Sequence, residues 1–172
     1  MVVTKSSMSL INIKWILACC NSINFVVIIN GLPTQFFNAH RGIRQGCVVS
    51  PMLFLLVIDC FSIKIIVAKD NGSIKGMRVS RNISISHLMF VDDLLLGGEV
   101  WVGEWRYIVD LIRSFGDASN LCMNEVKSIL IHDSSEEDVT KGICELLGVT
   151  STITDDGFTY LGFKLKLKGY QN

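Results

Sequence analysis

Two adjacent aspartates, Asp92 and Asp93, are the residues whose type and spacing point most directly to chemistry. They lie in an apolar stretch from Ile83 to Gly98, between a segment that alternates apolar and polar residues and a run of three leucines. This pattern predicts a β-hairpin with Asp92 and Asp93 as its two-residue turn. Such a turn usually takes Asn-Gly or Asp-Gly, because both central residues need a positive φ. A second aspartate therefore indicates selection for something other than turn geometry.

The aspartate pair has the chemistry of a metal site. Two carboxylates held side by side on a rigid, dry hairpin repel each other unless a cation lies between them or one of them is protonated. Mg²⁺ is commonly held by one or two carboxylates together with the phosphates of a substrate. The pair therefore predicts a site for Mg²⁺, or Mn²⁺ in its place. A solvated acidic turn is the alternative, and the dipeptide alone favours it.

A second candidate site is the loop from Leu32 to Val49. It carries the cationic side chains of Arg41 and Arg44, with Gln45 and Gly46 directly after the second arginine. Arginine binds phosphate in a bidentate manner, and glycine lets the backbone approach a ligand closely. The alternative is an exposed loop with scattered charge.

Composition limits the classes of protein to consider. The chain has 172 residues, 49% of them hydrophobic, a mean hydropathy of +0.43 and no net charge. Zero net charge argues against nucleic-acid binding by bulk charge alone. Polar residues interrupt every apolar run before it reaches the roughly 18 residues of a membrane span, so we expect no membrane. We expect instead that a protein partner or a missing segment covers some exposed apolar surface. The charges are unevenly distributed, since residues 1–58 contain no Asp or Glu and Asp59 is the first.

The elements that must position these residues follow from hydrophobic periodicity. In the first half we expect a buried strand over Phe25–Ile29, closed by a turn at Asn30–Gly31. A helix over Ser50–Asn71 should follow, and its first part, Met52–Ile58, should be buried on every side. In the second half we expect a strand over Gly76–Ser80, the aspartate hairpin over Ile83–Gly98 and a helix over Trp101–Gly116 that Gly116 ends. A strand over Lys127–His132 should follow. The last elements expected are a helix over Glu136–Leu147, capped by Ser134 or Ser135 and ended by Gly148, and a strand or hairpin over Thr159–Lys168. This mixture predicts an α+β fold, with helices on one face of a mainly antiparallel sheet.

With these elements in order, the chain resembles the reverse transcriptase of non-LTR (LINE-type) retrotransposons, especially those of plants. Four stretches carry the resemblance, in the order and spacing of that family: Asn30 to Asp59, Ser86 to Leu96, Phe115 to Leu130 and Tyr160 to Leu165. The combination R-G-x-R-Q-G-x(3)-S-P-x-L-F followed by F-x-D-D is far more specific than either motif alone.

The resemblance implies a polymerase palm-like fold with incomplete fingers and no thumb. The chain would be a single partial reverse transcriptase domain over residues 1–172. It would comprise an N-terminal remnant (1–24), a fingers and palm core (25–133) and a C-terminal part of the palm (134–172). The implied partners are an RNA template, a DNA primer and a deoxynucleoside triphosphate. A nuclear location follows from the family alone, since the chain has no Lys/Arg-rich targeting run.

The resemblance also implies roles for individual residues. Asp92 would be a Mg²⁺ ligand, with Asp93 as its supporting carboxylate. The nucleotide and template would be bound by Arg41, Arg44, Gln45, Gly46 and Lys127, although Lys127 could equally be an exposed lysine at the start of a strand. The primer end would be held by Tyr160, Leu161 and Gly162.

The reaction implied is in-line attack of a primer hydroxyl on a nucleotide phosphate, for which the family uses a third carboxylate from a strand upstream of the R-G-x-R-Q-G loop. This sequence has no Asp or Glu there. We therefore expect an RNA-directed DNA polymerase by ancestry that is inactive as an isolated chain. A non-enzymatic module that binds nucleic acid or protein is the alternative, and a metal-dependent hydrolase that uses the same aspartates is a third hypothesis.

Overall fold

The structure is a computed structural model, which describes residues 9–21, 24–38, 46–132, 136–153 and 157–165. Helices and short strands are mixed along the chain, as the α+β prediction requires. The helices are α1 (Leu10–Asn21), α2 (Ser50–Asp70), α3 (Val102–Ser119) and α4 (Glu137–Leu147). The strands are β1 (Asn24–Phe25), β2 (Ile28–Ile29), β3 (Leu32–Pro33), β4 (Phe37–Asn38), β5 (Met77–Arg78), β6 (Ser84–Ile85), β7 (His87–Phe90), β8 (Asp93–Leu96), β9 (Ile129–His132), β10 (Thr150–Ile153), β11 (Phe158–Tyr160) and β12 (Phe163–Leu165).

Within these ranges, the strands pair as six two-stranded ribbons. Five ribbons are antiparallel, and β9 pairs with β10 in parallel across the connecting helix α4. Antiparallel pairing thus dominates, as predicted. The predicted single sheet is replaced by separate ribbons because strands of two to four residues offer few backbone groups to a further neighbour.

The chain divides into two compact units, residues 1–64 with 115–121 and residues 65–114 with 122–172. The first unit contains the nested ribbons β2–β3 and β1–β4. Asn30 and Gly31 form the predicted turn, with φ values of 51° and 82°. The prediction of a buried strand over Phe25–Ile29 is wrong, since Ile28 is 72% exposed. A two-stranded ribbon leaves both of its faces open unless another element covers it.

Helix α2 begins at Ser50, as predicted, and is followed by a turn at Asn71 and Gly72, where Gly72 has a φ of 76°. The prediction that Met52–Ile58 is buried on every side is wrong, because Met52 is 64% exposed. Burial follows a single stripe at helical spacing: Leu53, Phe61, Ile65 and Ala68. By length and composition alone this helix could cross a membrane, which the sequence did not predict. The buried stripe is narrow, since 17% of the residues in the most apolar part of this helix are buried.

Helix α3 continues to Ser119, three residues beyond the predicted end at Gly116. Asn120 follows with a φ of 59°, and its N–H donates to the Gly116 carbonyl at 2.7 Å. Gly116 serves close packing rather than termination, because a Cβ there would lie 2.9 Å from the Leu121 carbonyl oxygen. Apolar residues at helical spacing form the buried face of this helix, among them Trp105, Ile108 and Phe115.

Helix α4 ends at the predicted Gly148, which has a φ of 70°. Its predicted caps, Ser134 and Ser135, lie outside the described residues. Strand β10 was not predicted, because only one residue of its sequence Thr-Ser-Thr-Ile is apolar. It pairs with β9 from Thr150↔Ile129 to Ile153↔His132.

Candidate active site at the paired aspartates

The aspartates lie at the tip of the β7–β8 ribbon, with the turn one residue earlier than predicted. Phe90 pairs with Asp93, so the turn residues are Val91 and Asp92, and Asp93 is the first residue of β8. Val91 has a φ of 54°. The left-handed region costs a non-glycine residue roughly 1–2 kcal/mol, and a β-branched side chain is an outlier there. Such strain is typical of functional sites.

The tip of this ribbon is open to solvent. Both aspartates are exposed, and Phe90 beside them is 58% exposed. The expectation of a dry hairpin is therefore wrong, because the described part of the chain places no layer of side chains over the tip. Exposed carboxylates are accessible to a hydrated cation and to a large polyanionic substrate.

Tyr160 brings the predicted primer-holding hairpin next to the aspartates. Its hydroxyl lies 3.4 Å from the Asp93 carbonyl oxygen and 3.5 Å from that of Leu88, at the long limit for a donated hydrogen bond. Burial, together with the negative charge of Asp93, raises the pKa of the Tyr160 phenol. Leu161 and Gly162 form the turn between β11 and β12, with φ values of 51° and 82°. Two predicted groups of site residues are thus neighbours.

The other predicted residues are not gathered at this tip by the described contacts. Arg41, Arg44 and Gln45 lie outside the described residues. Gly46 belongs to the first unit, where it has a φ of 77° and open space around its Cα. Lys127 is exposed in the turn before β9, and its backbone N–H donates to Asn124 Oδ1 at 3.2 Å.

The opposite end of the β7–β8 ribbon, which we call its base, is densely packed. Gly97 N–H donates to the carbonyl of the buried Ser86 at 2.8 Å. A Cβ on Gly97 would lie 2.6 Å from the Ile85 carbonyl oxygen and 2.8 Å from Met77 Cβ, so only glycine fits there. The Lys69 ammonium donates to the Ser84 carbonyl at the same end.

Glu104 on α3 fixes the loops around this base, and sequence reasoning missed it. Its side chain is fully buried. Oε1 accepts the backbone N–H groups of Lys75 and Gly76 at 3.0 and 3.1 Å, and Oε2 accepts that of Glu99 at 3.3 Å. In the sequence, Glu104 is an acidic residue in the first turn of a helix, where carboxylates are common for other reasons. The dense base therefore holds the tip in place.

The donor set at the tip fits a hard divalent cation in part. Two adjacent, exposed carboxylates supply the oxygen ligands that Mg²⁺ takes, and the remaining positions suit water and substrate phosphates. Among the residues that the structure describes, no group of three or more His, Cys, Asp or Glu side chains is gathered to hold a metal ion. The tip thus offers two adjacent carboxylates to a cation.

Comparison with known proteins decides the family. The sequence model of the family described as "Reverse transcriptase (RNA-dependent DNA polymerase)" matches residues 3–165, which is nearly the whole chain. The chain belongs to the reverse transcriptase family. The predicted resemblance to a retrotransposon reverse transcriptase is thereby confirmed at the level of the family.

A plant protein is also similar to this reverse transcriptase domain. The uncharacterized mitochondrial protein AtMg01250 of Arabidopsis thaliana is 38% identical over 81 residues, which cover 43% of this chain and 66% of that protein. The chain therefore spans just under two thirds of the length of this relative.

Proposed function

We propose that this chain is the palm part of an RNA-directed DNA polymerase of a non-LTR retrotransposon. One observation carries the proposal: two exposed aspartates lie at the strained tip of a short antiparallel ribbon, in a chain that matches the reverse transcriptase family over residues 3–165. In this account, the ribbons form the palm, and residues 1–172 are one partial domain. The substrates are an RNA template, a DNA primer and a deoxynucleoside triphosphate.

The side chains have distinct tasks in this proposal. Asp92, in the turn, is the metal ligand, and Asp93, at the start of β8, is the supporting carboxylate. A bound Mg²⁺ or Mn²⁺ would lower the charge repulsion at the phosphate during attack by the primer hydroxyl. The Tyr160 hairpin lies beside Asp93, where it can hold the primer end against the tip. Arg41, Arg44, Gln45, Gly46 and Lys127 bind nucleotide and template.

We further infer that the isolated chain extends primers negligibly. Two-metal transfer uses a third carboxylate, which the family supplies from a strand upstream of the R-G-x-R-Q-G loop. Residues 1–58 contain no Asp or Glu. Loss of a metal ligand removes several kcal/mol of transition-state stabilisation, and each 1.36 kcal/mol is about tenfold in rate.

Primer extension tests both statements. The assay uses a poly(rA) template, an oligo(dT) primer, dTTP and Mg²⁺ or Mn²⁺, with circular dichroism to verify folding. Asp92→Asn is the test variant, and Asp110→Asn, an exposed aspartate on α3, is the matched control. We expect no extension by the isolated chain. Extension that only Asp92→Asn abolishes would support the polymerase and overturn the missing-ligand argument. Extension that survives Asp92→Asn would overturn the role of Asp92.

A second candidate function is a non-enzymatic interaction module. The first unit exposes an unusual number of large apolar side chains, which is typical of a surface that contacts another protein. They include Ile28, Leu32 and Phe36, each more than 70% exposed. This function would be favoured by RNA binding that weakens with salt, combined with no primer extension even when the third carboxylate is supplied.

A further inference from the structure

A cleft at the base of the β7–β8 ribbon concentrates positive charge. It measures about 420 Å³ and is formed largely by the end of α2, the β5–β6 hairpin and Glu99. Four cationic side chains line it, Lys69, Lys75, Arg78 and Arg81, against one carboxylate, that of Glu99. This contrasts with the whole chain, in which 16 basic residues balance 16 acidic ones.

The single carboxylate of the cleft is already paired. Lys75 Nζ lies 2.8 Å from Glu99 Oε2, and this hydrogen bond and charge raise the pKa of the Lys75 ammonium. Arg78 lies close enough to oppose that rise by repulsion. The second acidic residue nearby, Glu104, is fully buried and accepts three backbone N–H groups. Neither carboxylate is therefore free to neutralise the arginines.

The two arginines of the cleft are open to an external anion. Arg78 and Arg81 are both exposed, and within the described ranges neither guanidinium has an ion pair or a hydrogen bond. The Lys69 ammonium is anchored to the Ser84 carbonyl, which holds its charge at the cleft. Gathering like charges is costly, and binding of an anion relieves that cost. The planar guanidinium binds phosphate oxygens in a bidentate manner.

We infer that this cleft binds the phosphodiester backbone of a nucleic-acid strand. Ser80 and Asn82 add hydrogen-bonding groups to the rim, and the lining contains no aromatic ring on which a base could stack. Contacts of this kind position a strand without reading its sequence. The lining contains no residue of the tip or of strands β7 and β8, so the cleft is separate from the paired aspartates. The inference rests on the proposed function only for the choice of nucleic acid as the source of phosphate.

The test measures binding of a fluorescein-labelled single-stranded RNA 20-mer to the full chain. Fluorescence anisotropy reports the binding at salt concentrations between 50 and 200 mM, in the presence of EDTA. The test variant is Arg78→Gln with Arg81→Gln. We expect its affinity at 50 mM salt to fall by about tenfold or more, and its salt slope to become smaller by about 1.4, which is 0.7 for each lost phosphate contact. Lysine at both positions should restore part of the affinity and the full salt slope, because it keeps the charge but not the bidentate hydrogen bonds.

The control removes two arginines from elsewhere. Arg106→Gln with Arg113→Gln makes the same charge change on the exposed face of α3 and should leave affinity within twofold. Equal losses of affinity in the two double variants would overturn the proposal that this cleft binds RNA. Wild-type affinity of the variant Arg78→Gln with Arg81→Gln would overturn it too. Displacement of the RNA by millimolar ATP would indicate that the cleft binds free nucleotides, and it would overturn the proposal that the cleft binds a nucleic-acid strand. Since EDTA removes catalysis, failure here is distinguishable from failure of primer extension.

Discussion

The two ends of the β7–β8 ribbon differ in nearly every physical respect. At the tip, Val91 and the two aspartates are exposed, and Val91 has a strained backbone. At the base, Ser86 is buried, and Gly97 has no room for a Cβ. A rigid base allows an exposed tip to keep a costly geometry, which is how strained functional residues persist in proteins.

The charges of the two ends are also separated. Carboxylates lie at the tip, while the cationic cleft lies at the base. A polymerase binds both a metal ion and a polyanion. Acidic and basic side chains in separate regions can bind these two ligands without forming ion pairs with one another. We therefore expect substitutions at the base to change stability and substitutions at the tip to change the proposed chemistry.

The largest expected effect on stability is at Glu104. Glu104→Ala removes the acceptor of three backbone N–H groups, that of Gly76 buried and those of Lys75 and Glu99 part-buried. An unsatisfied buried donor costs roughly 1–3 kcal/mol, and a part-buried one costs less. We expect the free energy of unfolding to fall by about 3–4 kcal/mol, as measured by urea denaturation. Glu104→Gln keeps one carbonyl oxygen for Lys75 and Gly76 and should lose less.

The matched change at the tip should cost almost nothing. Asp92→Ala alters an exposed side chain, so we expect the free energy of unfolding to change by no more than about 0.5 kcal/mol. A loss at Asp92 comparable to that at Glu104 would contradict the division of tasks between tip and base.

The strain at the tip predicts a smaller effect of opposite sign. Val91→Gly relieves a positive φ worth roughly 1–2 kcal/mol but adds entropy to the unfolded chain, so we expect a net gain of about 0.5–1 kcal/mol. Val126→Gly is the control, because Val126 is 98% exposed and has no positive φ. That variant should be neutral or slightly destabilised. Equal outcomes for the two valines in urea denaturation would show that the tip carries no strain.

The smallest expected effect is a pH dependence at the base. Burial, together with the positive charge of Lys69, lowers the pKa of His87 below 6.5 in the folded protein. The unfolded chain therefore binds this proton more readily, so stability should decline as pH falls from 6.5 towards the folded pKa and stay level above 6.5. His87→Gln should flatten the slope of unfolding free energy against pH in this window. An unchanged slope would remove His87 as its source.

Local signals in the sequence predicted much of this fold. The Asn30-Gly31 turn, the start of α2 at Ser50-Pro51 and the end of α4 at Gly148 are all local backbone requirements that a residue type reveals. Burial was predicted less well. Met52 and Ile28 are apolar but exposed, because burial depends on which elements meet, and a residue type does not specify that.

The candidate site shows the same limit. The aspartate pair was visible in the sequence, but the turn lies one residue earlier than predicted, because the pairing of Phe90 with Asp93 sets the register. Glu104 and the basic cleft depend on residues far apart in the chain that only folding brings together. The roles of all the predicted site residues, those of Asp92, Asp93 and Tyr160 included, remain predictions.

Metal binding at the tip is the central claim, and electron paramagnetic resonance of Mn²⁺ tests it most directly. Free Mn²⁺ would be titrated against the wild type, Asp92→Asn and the control Asp110→Asn, each with and without dTTP. We predict that wild type and Asp110→Asn bind Mn²⁺ alike, that dTTP strengthens the binding, and that Asp92→Asn weakens it about tenfold or more. Equal Mn²⁺ binding by Asp92→Asn and the wild type would contradict the account.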